Sequence, residues 1–536
     1  MKKNLRFLTV ILLALSLNSC GLFLQNTGVK NYSIKDQPGK ALNDYQYDFI
    51  YLTKLLKEGF PELESIFPEQ ERIKLEKEII VLLANKELQD IDFVLQARRY
   101  LSNVHNQHTN FYLKSDIETV YPFIVHTSYN RWHLLNLHKE QDSSHIGKEI
   151  ITINGLEVEE LEKRLMNYTF GENKINRQHE INRTQMYNKP VFLQETGLIT
   201  KLTETIQITF SDSSSVVLAP LKGDEEFKLY EIHLPRNELT QKQKATYAYQ
   251  VFPDQNLGYL QFNNCHDKID IIDGIKSYVK PWLQPLAQAY VKKQFKKDEP
   301  NKRLASFYNP KYPVFKDFVW ELVDSLNQNN IPDLVIDLRN NPGGNLTLGI
   351  QMIYFLTDRT DLRDFTEYTW PSDIYKSYFP EEYKNLQKAY PEGFPENQLV
   401  NKQVENDFFH EITAPQSDYY IPANRPVYKG KIHVLANYGT GSAAAMLTTL
   451  LQDNNIATVI GTSVGNNPTG ATTYTPMKLP KTKAHVSIAT TFKVRPDKTA
   501  SKIQLPHHWV EYTIKDLLTG NDPYWEKVKE LTGSGK

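Results

Sequence analysis

The chain has 536 residues, with 62 Lys and Arg against 63 Asp and Glu, a formal net charge of −1 and only two cysteines. That balance gives no basis for a nucleic-acid-binding or polybasic membrane surface. Once Cys20 is set apart at the N-terminus, Cys265 has no partner, so the fold rests on hydrophobic cores, two to four of them at roughly 150 residues per domain.

The first segment, "MKKNLRFLTVILLALSLNSC", has two lysines and an arginine, then an apolar run from Phe7 to Leu17. A stable membrane span needs roughly 20 apolar residues, so the run reads as the hydrophobic region of a secretory leader, 1–19. "LNSC" resembles a bacterial lipobox, in which cleavage leaves Cys20 as a lipid-bearing first residue; an ordinary leader with an incidental cysteine is the alternative. The expected product is exported and faces the periplasm or cell surface, held to the membrane by its N-terminal lipid alone. Residues 20–44 lack periodicity and read as a tether.

From 45 to 115 the pattern is helical. "YDFIYLTKLLKEGFPELESIF" and "ERIKLEKEIIVLLANK" space apolar residues three and four apart, and Asp90 or Asp92 can cap a further helix. Residues 116–228 read as strands: "PFIVHTS", "WHLLNL", "KEIITING", "IQITFSD" and "SSVVLAPL". "IGKEIITINGLEVEELEKRL" ends a strand in Asn154-Gly155, a strong turn signal, and continues as an amphipathic helix. That order resembles half of a PDZ domain, with 167–190 as an insertion. Residues 229–536 then alternate strand and helix. "NLGYLQF", "PDLVIDLR", "GKIHVLAN" and "ATVIGT" are strands, separated by "FKDFVWELVDSLNQN", "LTLGIQMIYFLT" and "SAAAMLTTLLQDN" as helices. This punctuation predicts an α/β core with several parallel strands. Residues 359–428, aromatic, acidic and rich in proline, read as a long surface excursion.

In such sheets ligands bind beyond the carboxyl ends of the strands. Two ends qualify, "VIDLRNNPGGN" and "HVLANYGTGSAAA". Gly343-Gly344 lets bare N–H groups approach a ligand, and Ser442 opens a helix whose positive end favours developing negative charge. Ser442 is therefore a candidate nucleophile, with the N–H of Ala443 and of Gly343 or Gly344 as oxyanion donors. The competing reading makes Ser442 a helix cap.

"LVIDLRNNPGG" followed by "NYGTGSAAAMLTTLLQDNNIATVIGT" resembles the C-terminal processing (tail-specific) serine peptidases, the group to which the tricorn core belongs. The helical segment ending in "HT", the PDZ-like stretch, "LGYLQF" and the closing "LPHHWVEYTIKDLLTGNDPYWEKVKEL" stand in that family's order. The resemblance implies a parallel-rich βαβ peptidase core of the processing-protease and crotonase-like type, acting on polypeptides without metal or other cofactor. One branch uses a lysine base where this chain has Asn467; Lys478, Lys481 and Lys483 lie nearby in a charge-rich, solvated setting. The tricorn-like branch takes a histidine from the N-terminal side, and His108 in "NQHTNF" fits it, with His105 the competing candidate. An imidazole of ordinary pKa, near 6.5, suits that role and places the rise of activity at pH 6 to 7. The His105/His108 pair has no accompanying metal-ligand pattern.

The same branch carries a glutamate near the position of Ala500. Here Asp497, Ser501 or Asn467 is left to orient the histidine. The resemblance thus implies a serine-type endopeptidase nearer the Ser/His branch. The second reading is a catalytically impaired peptide-binding lipoprotein on the same fold, and the third a binder of non-peptide ligands.

Overall fold

The computed structural model describes residues 32–533, apart from 40, 86, 116–118, 223–227, 231–244, 280, 297–308, 310, 396–397 and 403–407. The leader, Cys20 and the first part of the tether lie outside the described residues. No helix among the described residues is long and apolar enough to cross a membrane.

Three long helices, Asp44–Gly59, Glu69–Leu82 and Asp90–Leu101, and the single turn Leu63–Ile66 form the N-terminal segment. Asn43 caps the first in a reciprocal box with Gln46. The third is capped by Gln89 rather than by Asp90 or Asp92; Asp92 reaches back to the Gln89 N–H from the N3 position. The apolar stripe of these helices, Phe49, Leu56, Phe93 and Tyr100, does not close on itself. It packs in one core with Ile374, Met477, Val486 and Ile488. The strand Asn110–Tyr112 then pairs antiparallel with His485–Ser487, which ties the start of the chain to its last quarter.

The middle segment is a six-stranded antiparallel sheet in the order Phe123–Ser128, Arg131–Leu137, Glu149–Ile153, Ile206–Phe210, Ser215–Leu218, with the short Leu156–Glu157 paired to Glu149–Ile153 off that path. Asn154 and Gly155 both take positive φ, 50° and 76°, as the tight turn into Leu156–Glu157 demands. The helix Val158–Leu165 buries Leu161 and Leu165 against the sheet core. The strand, the Asn-Gly turn and the helix thus follow one another in the expected order. The insertion carries the helix Lys174–Thr184, whose N-cap is Asn173.

The third segment holds a six-stranded sheet. Tyr247–Phe252 is antiparallel to Leu257–Phe262; Asp333–Asp337, Lys431–Ala436, Thr458–Gly461 and His508–Trp509 follow in parallel and in chain order. Period-two alternation divides the central strands between two cores. Leu334, Ile336 and Val434 meet Val323, Leu348 and Leu447 from three helices, while Val335, Leu435 and Ile460 meet Tyr524, Trp525 and Val528 of the helix Pro523–Thr532. Burial on both faces explains why these strands read as continuous apolar runs.

The 359–428 stretch is not only a surface excursion. Its strand Thr366–Thr369 joins Val400–Asn401, Thr491–Val494 and Gly470–Thr472 in a four-stranded sheet. Ile374 and Tyr375 of its helix Asp373–Tyr378 are fully buried. Its polar average hides a few anchoring residues, which decide its position.

Candidate active site

Adjacent parallel strands, Asp333–Asp337 and Lys431–Ala436, deliver the two expected loops side by side. The Gly441 N–H donates to the Asn341 carbonyl at 2.8 Å, Thr440 Oγ1 to the Leu338 carbonyl at 2.8 Å, and the Asn340 N–H to Asn437 Oδ1 at 3.0 Å. The loops touch at Gly343. A Cβ there would lie 2.7 Å from the Gly441 oxygen, 2.7 Å from the Ser442 Cβ and 2.8 Å from the Ala443 nitrogen. With φ of +101° as well, only glycine fits.

Ser442 opens the helix Ser442–Asp453 at φ +46°, a left-handed conformation that costs a non-glycine residue about 1–2 kcal/mol. It does not cap the helix: the N-cap is Gly441, and no side-chain capping bond forms. Instead the Ser442 N–H donates to Asn466 Oδ1 at 2.7 Å and the residue is exposed. Strain retained at an exposed serine at a strand–helix junction makes Ser442 a candidate functional position.

The candidate oxyanion donors separate. The Ala444 and Ala445 N–H groups turn back to the Gly441 carbonyl, while that of Ala443, in the first turn, has no helical acceptor. The Gly343 N–H is consumed by Asn341 Oδ1 at 2.9 Å. The bonds flanking Gly344 use the Gly343 carbonyl and the Asn345 N–H, both to Cys265, and leave the Gly344 N–H out. Ala443 and Gly344 are therefore the better pair, and Gly343 serves by its shape.

Ser442 and His108 line one cavity of about 320 Å³, together with Gln107, Met446, Thr472–Tyr474, Glu367 and Lys493. The turn that carries His108 is pinned on both sides. Asn106 Nδ2 donates to the Ala471 carbonyl at 2.7 Å, and Thr109 Oγ1 accepts the Ala489 N–H at 3.0 Å. His105 stands outside the cavity, exposed and at φ +47°. Burial, and then the nearby Lys493 charge, push His108 down to about 4. Its imidazole is thus neutral, a proton acceptor, at neutral pH.

The remaining expectations fare differently. Asp497 is not brought to the cavity; its carboxylate accepts the N–H and hydroxyl of Thr499 in a surface turn. Lys478, Lys481 and Lys483 do not line it. Asn467 does not reach His108 but holds a residue the sequence reading missed. Its N–H donates to Glu172 Oε2 at 2.5 Å, and its Nδ2 to the Glu172 carbonyl at 3.2 Å. The side chain of Glu172 is 4% exposed and stands 3.9 Å, Oε1 to Nδ1, from His108. Lys493 was missed too. It alternates with Thr491 on the buried face of Thr491–Val494, and a lysine on that face was the available signal. No motif announces Glu172.

A family model described as peptidase family S41 matches residues 303–505. No curated protein matches the chain by sequence. Among solved structures, mature CPAF complexed with lactacystin is 14% identical with a TM-score of 0.58, covering 91% of this chain and 97% of that one. Another structure of mature CPAF is 15% identical with a TM-score of 0.53, covering 91% and 96%. These likenesses show a shared fold over nearly the whole chain, including the segments that flank the family match. The match to peptidase family S41 over residues 303–505, within a fold shared across nearly the whole chain, supports a serine-type peptidase.

Proposed function

We propose that the chain is an exported, lipid-anchored endopeptidase in which Ser442 is the nucleophile and His108 its base. The carrying observation is Ser442 itself, exposed and strained at a helix start, in one cavity with a neutral histidine. Ser442 Oγ attacks the scissile carbonyl as its proton passes to His108. The N–H groups of Ala443 and Gly344 receive the oxyanion. His108 then protonates the leaving amine as the C–N bond breaks, and water releases the acyl group by the same path. Polypeptide substrates can reach the site by adding as a strand to the PDZ-like sheet.

The test is a fluorophosphonate, which forms an Oγ–P bond with loss of fluoride. It labels the wild type at Ser442 and leaves Ser442→Ala unlabelled; equal labelling of the two rejects the nucleophile. Anchoring rests on "LNSC" alone. Cys20→Ser moves the protein from the detergent to the aqueous phase in a partition assay while labelling persists. Unchanged partition of that variant rejects lipidation.

A further inference from the structure

Resting on that reading, we infer that Glu172, supplied by the insertion of the PDZ-like segment, is the acid that positions His108, and that the buried ammonium of Lys493 keeps this acid ionised. Family resemblance places no acid at Glu172, and the three residues it left open, Asp497, Ser501 and Asn467, do not supply one to the cavity.

The geometry is specific. His108 Nδ1 is buried and has no hydrogen-bond partner, and the carboxylate oxygen Glu172 Oε1 is 3.9 Å away. Closing that gap by less than one bond length gives Nδ1–H a charged acceptor and turns Nε2, the other ring nitrogen, into the proton acceptor. Glu172 is fixed for the purpose. Oε2 accepts the Asn467 N–H, and Oε1 accepts Asn466 Nδ2 at 3.4 Å. Asn173 Nδ2 donates to Asn467 Oδ1 at 2.8 Å, and Asn176 Nδ2 to the Val464 carbonyl at 3.1 Å, so the insertion is sewn to the 464–467 turn immediately after Glu172. Asn466 is shared: its Oδ1 receives the Ser442 N–H. The nucleophile and the acid are thus referenced to one amide side chain.

A carboxylate this deep holds its charge only with a cation beside it. Lys493, in the lining of the His108 cavity, is that cation: burial pulls its ammonium down to about 8, and the charges of Glu172 and Glu367 hold it up from opposite segments. Glu367 faces it across the ladder of Thr366–Thr369 and Thr491–Val494, and is itself paired with Lys402 at 3.3 Å, which also reaches Glu382 at 2.9 Å. Charges therefore alternate from His108 outward as Glu172, Lys493, Glu367, Lys402 and Glu382. Three carboxylates face two ammonium groups, a shortfall that the imidazolium formed during attack makes good. Burial pushes Glu172 up, to about 7, against the downward pull of Asn467, Lys493 and Asn466. Removing Lys493 raises it further.

The experiment is the rate of fluorophosphonate labelling of the full chain from pH 4 to 9. Glu172→Gln keeps an oxygen for the Asn467 N–H but loses the charge. It labels at least about tenfold more slowly at pH 8; losing the orienting acid of a serine–histidine site reaches about 10⁴. The neutral-range rise that belongs to Glu172 disappears from its profile, and Glu172→Asp recovers part of the rate. In Lys493→Met the rise moves to higher pH, because both Glu172 and His108 then titrate higher. Wild-type rate and profile in Glu172→Gln overturn the inference. So does an equal loss in Glu172→Gln and Glu172→Asp with a lowered unfolding temperature, which makes Glu172 a structural brace. Labelling that survives Ser442→Ala instead rejects the parent reading.

Discussion

Alanine at His108 lowers turnover by at least about a hundredfold, the lower range for loss of a general base, and alanine at His105 leaves it near the wild-type rate. The contrast follows from position, because only His108 lines the cavity that Ser442 opens into. The pH profile carries a second, independent expectation. A base must be neutral to accept the serine proton, and the neutral fraction grows as pH rises through its pKa. With His108 pushed down to about 4 by burial and the Lys493 charge, its limb lies below pH 5, not at the 6 to 7 of an ordinary imidazole. A rise that remains near neutrality then belongs to Glu172. Labelling or peptide cleavage in His108→Ala at the wild-type rate shows that another group takes the proton. Of the groups lining the cavity, Lys493 is then the one to replace.

Arg339→Met costs about 3–5 kcal/mol of stability, the range for removing one partner of a buried ion pair. Arg339 stands at the end of Asp333–Asp337 and is almost wholly buried. Nη2 lies 2.6 Å from Asp337 Oδ2, and Nη1 lies 3.0 Å from both oxygens of Asp522 and 3.0 Å from the Tyr512 hydroxyl. Asp522 also caps the helix Pro523–Thr532, so one guanidinium clasps the central sheet to the closing helix behind the Gly343-Gly344 loop. Without it two buried carboxylates face each other uncompensated. Adding Asp337→Asn and Asp522→Asn to Arg339→Met therefore restores much of the loss, since asparagine still caps and carries no charge. By comparison, breaking the exposed Lys384–Glu381 pair costs at most about 1 kcal/mol. Thermal unfolding measures all three. An Arg339→Met melting temperature equal to that of the wild type contradicts the clasp.

The elements legible in the sequence were those whose signals are local. Continuous apolar runs such as "LVID" and "IHVLA" became central strands because each face of the sheet has its own core to fill. Asn154-Gly155 became a turn because its two residues tolerate positive φ. Ser442, Ala443 and the glycine pair were legible as candidates because a strand end, a glycine loop and a helix start are contiguous in the chain. His108 became a candidate through the order of the family's segments, and the fold brings it into one cavity with Ser442.

Tertiary structure alone decided the rest. Glu172 and Lys493 lie 321 residues apart, and their electrostatic coupling depends on how an insertion and a late antiparallel sheet close over one turn. The choice of Gly344 over Gly343 depends on a single bond from Asn341. The left-handed backbone of Ser442 is held by Asn466, 24 residues further on. The low pKa of His108 comes from desolvation, which exists only once the helical segment has packed against the 471–489 strands. Patterns of polarity along the chain record which residues leave water; they do not record which buried charges meet, and that meeting sets the chemistry of this site.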